Sequence, residues 1–573
     1  MRALALVLAL SLVPGAAVAA QERWEAPREA NRLRNPFGSA DAEALGRGRQ
    51  TYETICAACH GERGDGAGGA GQSWDRPPAD FTSPDVQDQS DGSLYWKISE
   101  GNPPAMLEYK QLLSEEEIWQ VVAYLRRFAP RGLEEPRPLR PGIRVEHYMD
   151  VAEHSVRLVL DDLSGHMYYN TFEGDIYRVR TRGESELLYT SADHGIPRLQ
   201  GMVFYNGDLY LSGNIEVNDG LGTTGAVMRG AVQPSGERVW GVVARTVEHG
   251  GAQTAFDHGF NDIVVDPEGR YLLVNSGSRT DHGEVQHNRG NYPGQREVPT
   301  TAVMLKLPID GEDIVLTHDE RQLAPYMFAR GVRNLYSLAF APNSHLFGVS
   351  NSGDYDHPED MFWLREGHHY GFPWIMGGVK NPQQFPDWGP DPERDPLLSR
   401  FSHAYNAGYF YNDPDFPPLP EGLVITPSVQ NVGPHANYFR DPETGEVRKG
   451  DAAGTTVGTF SAHRSLLGLV FDVDRALGGE LRGDGLVIGH SGMRGGMARE
   501  FGGAEVGAQE GSDLLHIELF YMPAYDNYIV RTTRLVDNFE GATDALLLGN
   551  ELYVINYAGS GAGSIWKLTL PVD

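Results

Sequence analysis

Ile263-Val-Val-Asp-Pro-Glu-Gly-Arg-Tyr-Leu-Leu-Val274 is the stretch on which the fold assignment of this chain depends. Two short apolar runs flank a turn of Asp, Pro, Glu and Gly, which is the pattern of a β-hairpin. Five similar hairpins occur at 156–169, 202–211, 338–347, 466–471 with 485–488, and 545–554. Six recurrences predict a six-bladed β-propeller in which each hairpin forms the inner strands of one blade. The same pattern leaves open a β-sandwich or two smaller β domains. Segments 280–300 and 375–460 are expected to be loops.

Charged residues recur at one position of these hairpins. His258 and Arg333 each stand nine residues before the turn proline of the third and fourth hairpins, and Arg464 is the aligned residue of the fifth. Because the innermost strands of a propeller begin around the central channel, the three side chains are predicted to share one concave site. Two guanidiniums favour a carboxylate or quinone oxygen, and an imidazole beside them can act as a general base.

A second motif precedes the hairpins. Cys56-Ala57-Ala58-Cys59-His60 has the spacing of a covalent c-type haem attachment site. Two thiols one helical turn apart form thioethers to one porphyrin, and the following histidine presents its imidazole to the iron. These are the only two cysteines of the 573-residue chain, so no second pair exists for a four-cysteine zinc site. A thioredoxin-like pair or half of a zinc site is the alternative.

The sequence around this motif predicts a small all-α domain over 40–129. Residues 42–59 have helical periodicity, and Ser114 with Glu117 forms a capping-box pattern before the apolar stripe of a last helix. The two helices resemble the first and last helices of a class I cytochrome c. In that family the axial thioether lies just before the last helix, which is the place of Met106. The predicted cofactor is therefore haem c with His60 and Met106 on the iron.

The termini of the domains follow from composition. Residues 1–20 combine a short positive start, an apolar run and small residues, which predicts a cleaved signal peptide and a periplasmic protein; an uncleaved anchor is the alternative. No later apolar stretch is long enough for a membrane span.

The Pro-rich segment 130–144 is expected to be a linker, and 145–573 the propeller. A net charge of −30 argues against nucleic-acid binding.

Several segments of the propeller region resemble the soluble quinoprotein glucose/sorbosone dehydrogenase family. They are Phe256-Asp-His-Gly259, Gly331-Val-Arg-Asn334, Gly353-Asp-Tyr-Asp356, Glu359-Asp360 and Gly367-His-His-Tyr370-Gly-Phe-Pro373. The similarity covers roughly 145–570 and is specific only over 255–375. It implies a six-bladed propeller that binds pyrroloquinoline quinone (PQQ) with Ca²⁺ at the channel mouth, where a substrate hydroxyl is oxidised.

The resemblance also implies roles for single residues. His258 corresponds to the general base, and Arg333 and Asn334 correspond to contacts that polarise the quinone. Backbone oxygens of Gly353 and Asp354 correspond to the ligands of the Ca²⁺ on the cofactor. A second Ca²⁺ would use Glu359 or Asp360 with the carbonyl of Tyr370, and such oxygen ligands suit this ion.

The chain departs from the family pattern at three places. Asn275-Ser-Gly-Ser278 replaces the usual Gly-Asp, so the acid that orients the histidine is missing or supplied by Asp281. The sixth blade has Gly541-Ala-Thr-Asp544 where an arginine is usual. In the fifth blade, the position at which the family has a lysine that binds the cofactor falls near Gly492 of this chain. Arg464 and Arg494 are the candidates to compensate for the missing arginine and the missing lysine.

The two halves together predict a quinohaemoprotein that oxidises a sugar, a sugar aldehyde or another alcohol. Electrons would pass from PQQ to the haem of the same chain and then to an external acceptor such as a periplasmic cytochrome or a copper protein. One alternative is a Ca²⁺-dependent propeller hydrolase or lactonase with a haem domain, which requires carboxylates converging on the ion. The other is an electron-transfer cytochrome with a non-catalytic binding propeller, which has no need of the ring of His258, Arg333 and Arg464.

Overall fold

A computed structural model divides the chain into two compact units, Met1–Pro130 and Arg131–Asp573. The structure describes residues 24, 26–27, 30–37, 42–61, 64, 66, 78–87, 89–102, 106–128, 136–251, 258–351, 353, 358–381, 384, 415–435, 438–440, 447–449, 458–462, 464–490, 511–539, 541–557 and 563–572. Within these ranges, no helix is both long and apolar enough to cross a membrane.

The first unit is helical, as predicted. Its helices are Ala42–Thr51, Ala57–His60, Pro84–Gln87, Asp91–Glu100 and Glu115–Leu125, with 3₁₀ turns at Ala30–Arg32, Tyr109–Gln111 and Arg126–Phe128. A π-helical turn, Tyr52–Cys56, separates the first helix from the turn that carries His60. The capping box is present, because Ser114 and Glu117 hydrogen-bond each other's backbone N–H groups at 3.3 and 2.8 Å.

The core of this unit forms where the first and last long helices cross. Tyr52, Ile118, Val121 and Val122 are fully buried and belong to the apolar cluster of this unit. Gly48 lies at the crossing, where a Cβ atom would overlap the carbonyl oxygen of Gln120. The close approach of the two helices therefore requires glycine at this position.

Within the described residues, the second unit contains six main sheets whose consecutive strands pair antiparallel, and Ile314–Leu316 and Gln430–Pro434 join two of them in parallel. Blade one is Ser155–Leu160, Met167–Thr171, Ile176–Thr181 and Glu184–Tyr189. Blade two is Arg198–Tyr205, Asp208–Val217, Gly222–Val232 and Arg238–Thr246, with His249–Gly250 and Ile314–Leu316 at its outer part. Blade three is Phe260–Val265, Tyr271–Ser276, Val303–Pro308 and Met327–Arg330.

The other three blades complete the ring. Blade four is Leu335–Phe340, Leu346–Ser350 and Asp360–Leu364. Blade five is Leu466–Phe471, Gly485–Gly489, Leu514–Met522 and Asn527–Asp537, and Gln430–Pro434 and Arg137–Pro138 pair with its last strand. Blade six is Ala542–Leu548, Glu551–Asn556, Gly563–Thr569 and Arg144–Val151. Short hairpins at Ile375–Met376 with Val379–Lys380 and at Tyr438–Arg440 with Val447–Lys449 lie outside the blades.

The six innermost strands contact one another in chain order, and the last contacts the first. This closed ring confirms the six-bladed propeller and excludes the sandwich alternative. The ring closes through sequence-distant pairing, because Arg144–Val151 is the outer strand of the last blade. The segment expected to be a linker, 130–144, contains the short strand Arg137–Pro138 on blade five.

Each inner strand carries one extra residue relative to its partner close to its start. The pairing shifts between Ser155 and Arg157 in blade one, and at the matching place in the five other blades. Such bulges bend a strand and redirect its side chains. Six bulges at one level therefore direct the side chains of this level toward the central channel.

Candidate functional site

In the haem motif, one ring nitrogen of the histidine is held by a backbone carbonyl group. His60 Nδ1 is 2.9 Å from the carbonyl oxygen of Ala79, and the ring stacks on Phe81 with centroids 4.4 Å apart. Burial lowers the pKa of His60, which favours the neutral imidazole. If Nδ1 donates its proton to this carbonyl, Nε2 is left to bind iron, as in most histidine metal ligands. Cys56 and Cys59 are not joined in a disulfide. These residues fit a covalently attached haem.

Met106 is held beside the same core. Its backbone exchanges two hydrogen bonds with Asn102, at 2.8 and 3.0 Å, and residues 103–105 between them lie outside the described part of the chain. The side chain packs against the apolar cluster of the unit, as does Cys56. Met106 and the haem motif thus pack against the same apolar cluster, and the role of Met106 as sixth ligand stays a prediction.

The propeller brings the predicted polar ring to one end of the channel. His258, Arg333 and Arg464 each stand two residues before the first residue of an inner strand, in blades three, four and five. The structural alignment therefore agrees with the one made from the hairpin turns. Arg333 and Arg464 are almost fully buried.

His258 and Arg333 meet across Gly277. A Cβ atom at Gly277 would lie 2.5 Å from Cβ of His258 and 3.3 Å from the carbonyl oxygen of Arg333. Nε2 of His258 is buried and has no hydrogen-bond partner within the described residues. Burial and the nearby Arg333 guanidinium hold the pKa of His258 well below its ordinary value, while Asp281 opposes this shift. A neutral imidazole with an unused nitrogen is suited to accept a proton.

Asp281 lies beside this pair. Its carboxylate accepts a hydrogen bond from Nη2 of Arg333 at 2.8 Å and is 2.8 Å from Nδ1 of His282. Arg333 further donates to the carbonyl oxygens of Asp281 and Asn351, at 2.8 and 3.0 Å. The acid predicted as a substitute is therefore held by Arg333 and His282, within electrostatic range of His258.

Asn334 is part of a chain of amides. It donates to the side chain of Asn351 and accepts from the side chain of Asn261, each at 2.6 Å. Asn261 belongs to blade three and Asn334 precedes the first strand of blade four, so this chain joins the two blades that carry His258 and Arg333. Sequence reasoning did not identify Asn351 or Asn261, because no local pattern marks them.

Arg464 lies at the same end of the channel in a different environment. Its Nη1 pairs with Oδ1 of Asp513 at 2.5 Å, and Oδ2 of Asp513 accepts from Nε of Arg534 at 2.8 Å. Sequence reasoning also missed Asp513, which is fully buried. Gly492 and Arg494 lie outside the described residues.

The two acidic residues predicted to bind calcium differ in whether their carboxylate oxygens are already hydrogen-bonded. Both carboxylate oxygens of Glu359 accept backbone N–H groups, from Ser465 at 2.8 Å and Leu466 at 3.1 Å, so this side chain anchors the start of blade five. Oδ1 of Asp360 is buried without a hydrogen-bond partner among the described residues, and burial raises the pKa of this carboxyl to about 6. Asp360 and Tyr370 both line a small cavity. The arrangement fits a hard cation bound at Asp360 rather than at Glu359.

The ligands predicted for the cofactor-bound Ca²⁺ are only partly described. Gly353 lies against Asp281, since a Cβ atom at Gly353 would be 2.9 Å from both of its carboxylate oxygens. Asp354 lies outside the described residues. Of the two predicted ligands, the structure therefore places only Gly353, which lies beside Asp281.

Comparisons with known proteins address each unit separately. Residues 43–125 match the family model described as cytochrome c oxidase, cbb3-type, subunit III. No curated protein sequence matches the chain. The N-terminal unit therefore contains a cytochrome c domain, which implies haem, and this domain is fused to a six-bladed propeller as predicted.

Solved structures are also similar to this chain over about three quarters of its length. The apo-form of the soluble aldose sugar dehydrogenase of Escherichia coli has 13% identity and a TM-score of 0.47, covering 74% of this chain and 99% of that chain. A putative glucose dehydrogenase of Thermus thermophilus has 17% identity and a TM-score of 0.44, covering 74% and 100%. The PQQ-bound aldose sugar dehydrogenase of Streptomyces coelicolor has 12% identity and a TM-score of 0.42, covering 76% and 99%.

Proposed function

We propose that this protein is a periplasmic quinohaemoprotein dehydrogenase that oxidises a sugar, a sugar aldehyde or another alcohol. Electrons would leave through its own haem c to an external protein acceptor. The observation that carries the proposal is the buried Nε2 of His258, which has no partner among the described residues and lies beside Arg333 at the channel end. Nε2 makes no hydrogen bond to the described part of the protein, so it is free to accept a proton. The oxidation of an alcohol requires such a proton acceptor.

His258 and Arg333 have separate parts in this chemistry. His258 takes the proton of the substrate hydroxyl at Nε2, which its lowered pKa keeps unprotonated at neutral pH. Arg333, held by Asp281 and Asn351, would bind a quinone oxygen of the cofactor and stabilise negative charge on it. PQQ, when bound, supplies a two-electron acceptor, and the haem accepts electrons one at a time.

The hydrolase alternative receives less support from the channel. It requires carboxylates that converge on Ca²⁺, but the channel carboxylates of Asp262 and Asp544 face the guanidinium of Arg157 at 3.8 and 3.7 Å. Within the described residues, no three His, Cys, Asp or Glu side chains come together as a metal-binding group. The binding-propeller alternative gives no reason for a histidine nitrogen left unused beside Arg333.

The test is reconstitution of the purified haem-containing protein with PQQ and Ca²⁺. We expect dye-linked oxidation of aldoses or alcohols and reduction of the haem on mixing with substrate in a stopped-flow spectrometer. His258→Ala should keep bound PQQ and lose on the order of 10²–10⁴ in turnover, the usual contribution of a general base. His345→Ala, which alters a histidine of blade four that contacts Tyr528, is the matched control. PQQ-dependent turnover that survives unchanged in His258→Ala would refute the assignment.

A further inference from the structure

Arg157 crosses the central channel. It belongs to blade one, yet its guanidinium donates to the carbonyl oxygen of Tyr336 in blade four, the blade opposite in a ring of six. The guanidinium also lies over the ring of Tyr336, with 4.3 Å between its carbon and the ring centroid. A side chain that joins opposite blades has to pass through the axis. Arg157 is 2% exposed, so solvent has almost no access to this side chain.

Arg157 is linked to the two segments that carry His258 and Arg333, to the first through Gln200 and to the second directly. Nε donates to the carbonyl oxygen of Gln200 at 2.7 Å, and the side chain of Gln200 donates to the carbonyl oxygen of His258 at 3.2 Å. Tyr336 lies three residues after Arg333 on the same chain segment. One guanidinium therefore connects the segment of the proposed base with the segment of the proposed quinone contact.

Two carboxylates keep the guanidinium in place. Asp262 and Asp544 lie 3.8 and 3.7 Å from it, and each also accepts a backbone N–H group of the next blade, from Leu338 at 2.7 Å and Leu158 at 2.9 Å. The N–H groups of Arg157 thus donate to backbone carbonyl oxygens. The carboxylates of Asp262 and Asp544 lie close to its positive charge and also connect neighbouring blades through backbone hydrogen bonds. Such a network loses its geometry as a unit when its centre is removed.

We propose that Arg157 is the floor and the positioning residue of the active site, closing the channel beneath it and fixing the spacing between His258 and Arg333. Substrate and water then have access from one end only. This inference rests on the proposed function for its catalytic consequence, whereas its structural content concerns only the segments 258–262 and 333–337.

The experiment compares full-length, haem-loaded variants. Arg157→Met combined with Asp262→Asn and Asp544→Asn removes the guanidinium without leaving an unpaired buried carboxylate. Arg229→Met with Asp208→Asn, which removes an Arg–Asp pair of blade two, is the matched control. Hydrogen exchange measured by mass spectrometry reports on segments 258–262 and 333–337 without PQQ, and substrate-driven haem reduction reports on turnover with PQQ.

We expect the triple variant to show roughly tenfold faster exchange in both segments and a loss of turnover on the order of 10²-fold, since small displacements of reacting groups have such effects. The control should match the parent in both measurements. Unchanged exchange in both segments of the triple variant would overturn the inference. If the parent itself shows no PQQ-dependent turnover, the proposed function fails, and the exchange result still decides the role of Arg157.

A second variant covers the case in which the triple variant does not fold. Arg157→Lys keeps a positive charge between the carboxylates. Its ammonium is a single compact group on a shorter side chain and lacks the planar fork of donors that binds both carbonyl oxygens. We expect this variant to fold and to show faster hydrogen exchange in segments 258–262 and 333–337. Parental exchange and turnover in Arg157→Lys would show that charge alone is needed and would also overturn it.

Discussion

Asp544→Asn tests the electrostatics of the channel by a change in the pH dependence of stability. Oδ2 of Asp544 accepts the N–H group of Leu158 at 2.9 Å, and its carboxylate lies 3.7 Å from Arg157. Burial raises the pKa of Asp544 to about 7, although Arg157 opposes this shift. Burial is the largest cause of the raised pKa, and the negative charge of the nearby Asp262 adds to it.

The sign of the effect follows from this raised pKa. An unfolded aspartate has a pKa of about 3.9, so between about pH 4 and 7 the folded protein holds a proton that the unfolded chain has lost. The folded state is therefore favoured at low pH and loses this advantage as the pH rises toward 7. Between about pH 5 and 8 the loss in the free energy of unfolding amounts to about 3 kcal/mol, and little changes at higher pH.

An asparagine at this position would carry no charge and would keep an acceptor for the N–H group of Leu158. We therefore expect Asp544→Asn to be more stable relative to the parent at about pH 8 than at about pH 5, by about 3 kcal/mol. The assay is urea unfolding of the full chain followed by tryptophan fluorescence, with the haem Soret band reporting separately on the cytochrome unit. Tyr, His and Asp groups outside the channel titrate equally in both proteins and cancel in the difference.

Glu186→Gln serves as the control of opposite sign. Hydrogen bonds from Arg178 and Arg180 lower the pKa of Glu186, so its contribution is present above the unfolded pKa and is lost as the pH falls. Because this group lies at the surface, the difference should be small. Identical pH profiles of the parent and Asp544→Asn would show that the channel carboxylates are fully compensated, and the charge argument would be wrong.

Three other substitutions test separate parts of the structure. Met106→Ala should abolish the weak far-red sulfur–iron band of the oxidised haem while both thioethers remain; a persistent band would mean another sixth ligand. Gly48→Val should prevent the close crossing of the two helices at Gln120 and reduce haem incorporation measured by the Soret-to-protein absorbance ratio, whereas normal incorporation would contradict the packing argument. Arg464→Met should cost about 3 kcal/mol in urea unfolding, because Asp513 keeps only Arg534 of this ion-pair group. If stability is unchanged while haem reduction slows, Arg464 acts on the cofactor and not on the fold.

Features that depend on local spacing could be predicted from the chain alone. Cys56, Cys59 and His60 define the haem site because a haem requires these groups on neighbouring turns of one segment. Six hairpins with their turn residues predicted the blades, since strands and turns are encoded within about ten residues. The same alignment placed His258 and Arg333 at equivalent positions, because register within a repeated unit is also local.

Which side chains meet depends instead on the closure of the ring. Arg157 reaches Asp262, Tyr336 and Asp544 because closure brings blades one, three, four and six to one axis. Contacts between residues so far apart in the sequence leave no periodic signal, so this cluster was not predicted. Asp281 shows the same limit in part. The sequence named it as a possible partner of His258, but only the packing of blade three against blade four shows that its carboxylate pairs with Arg333.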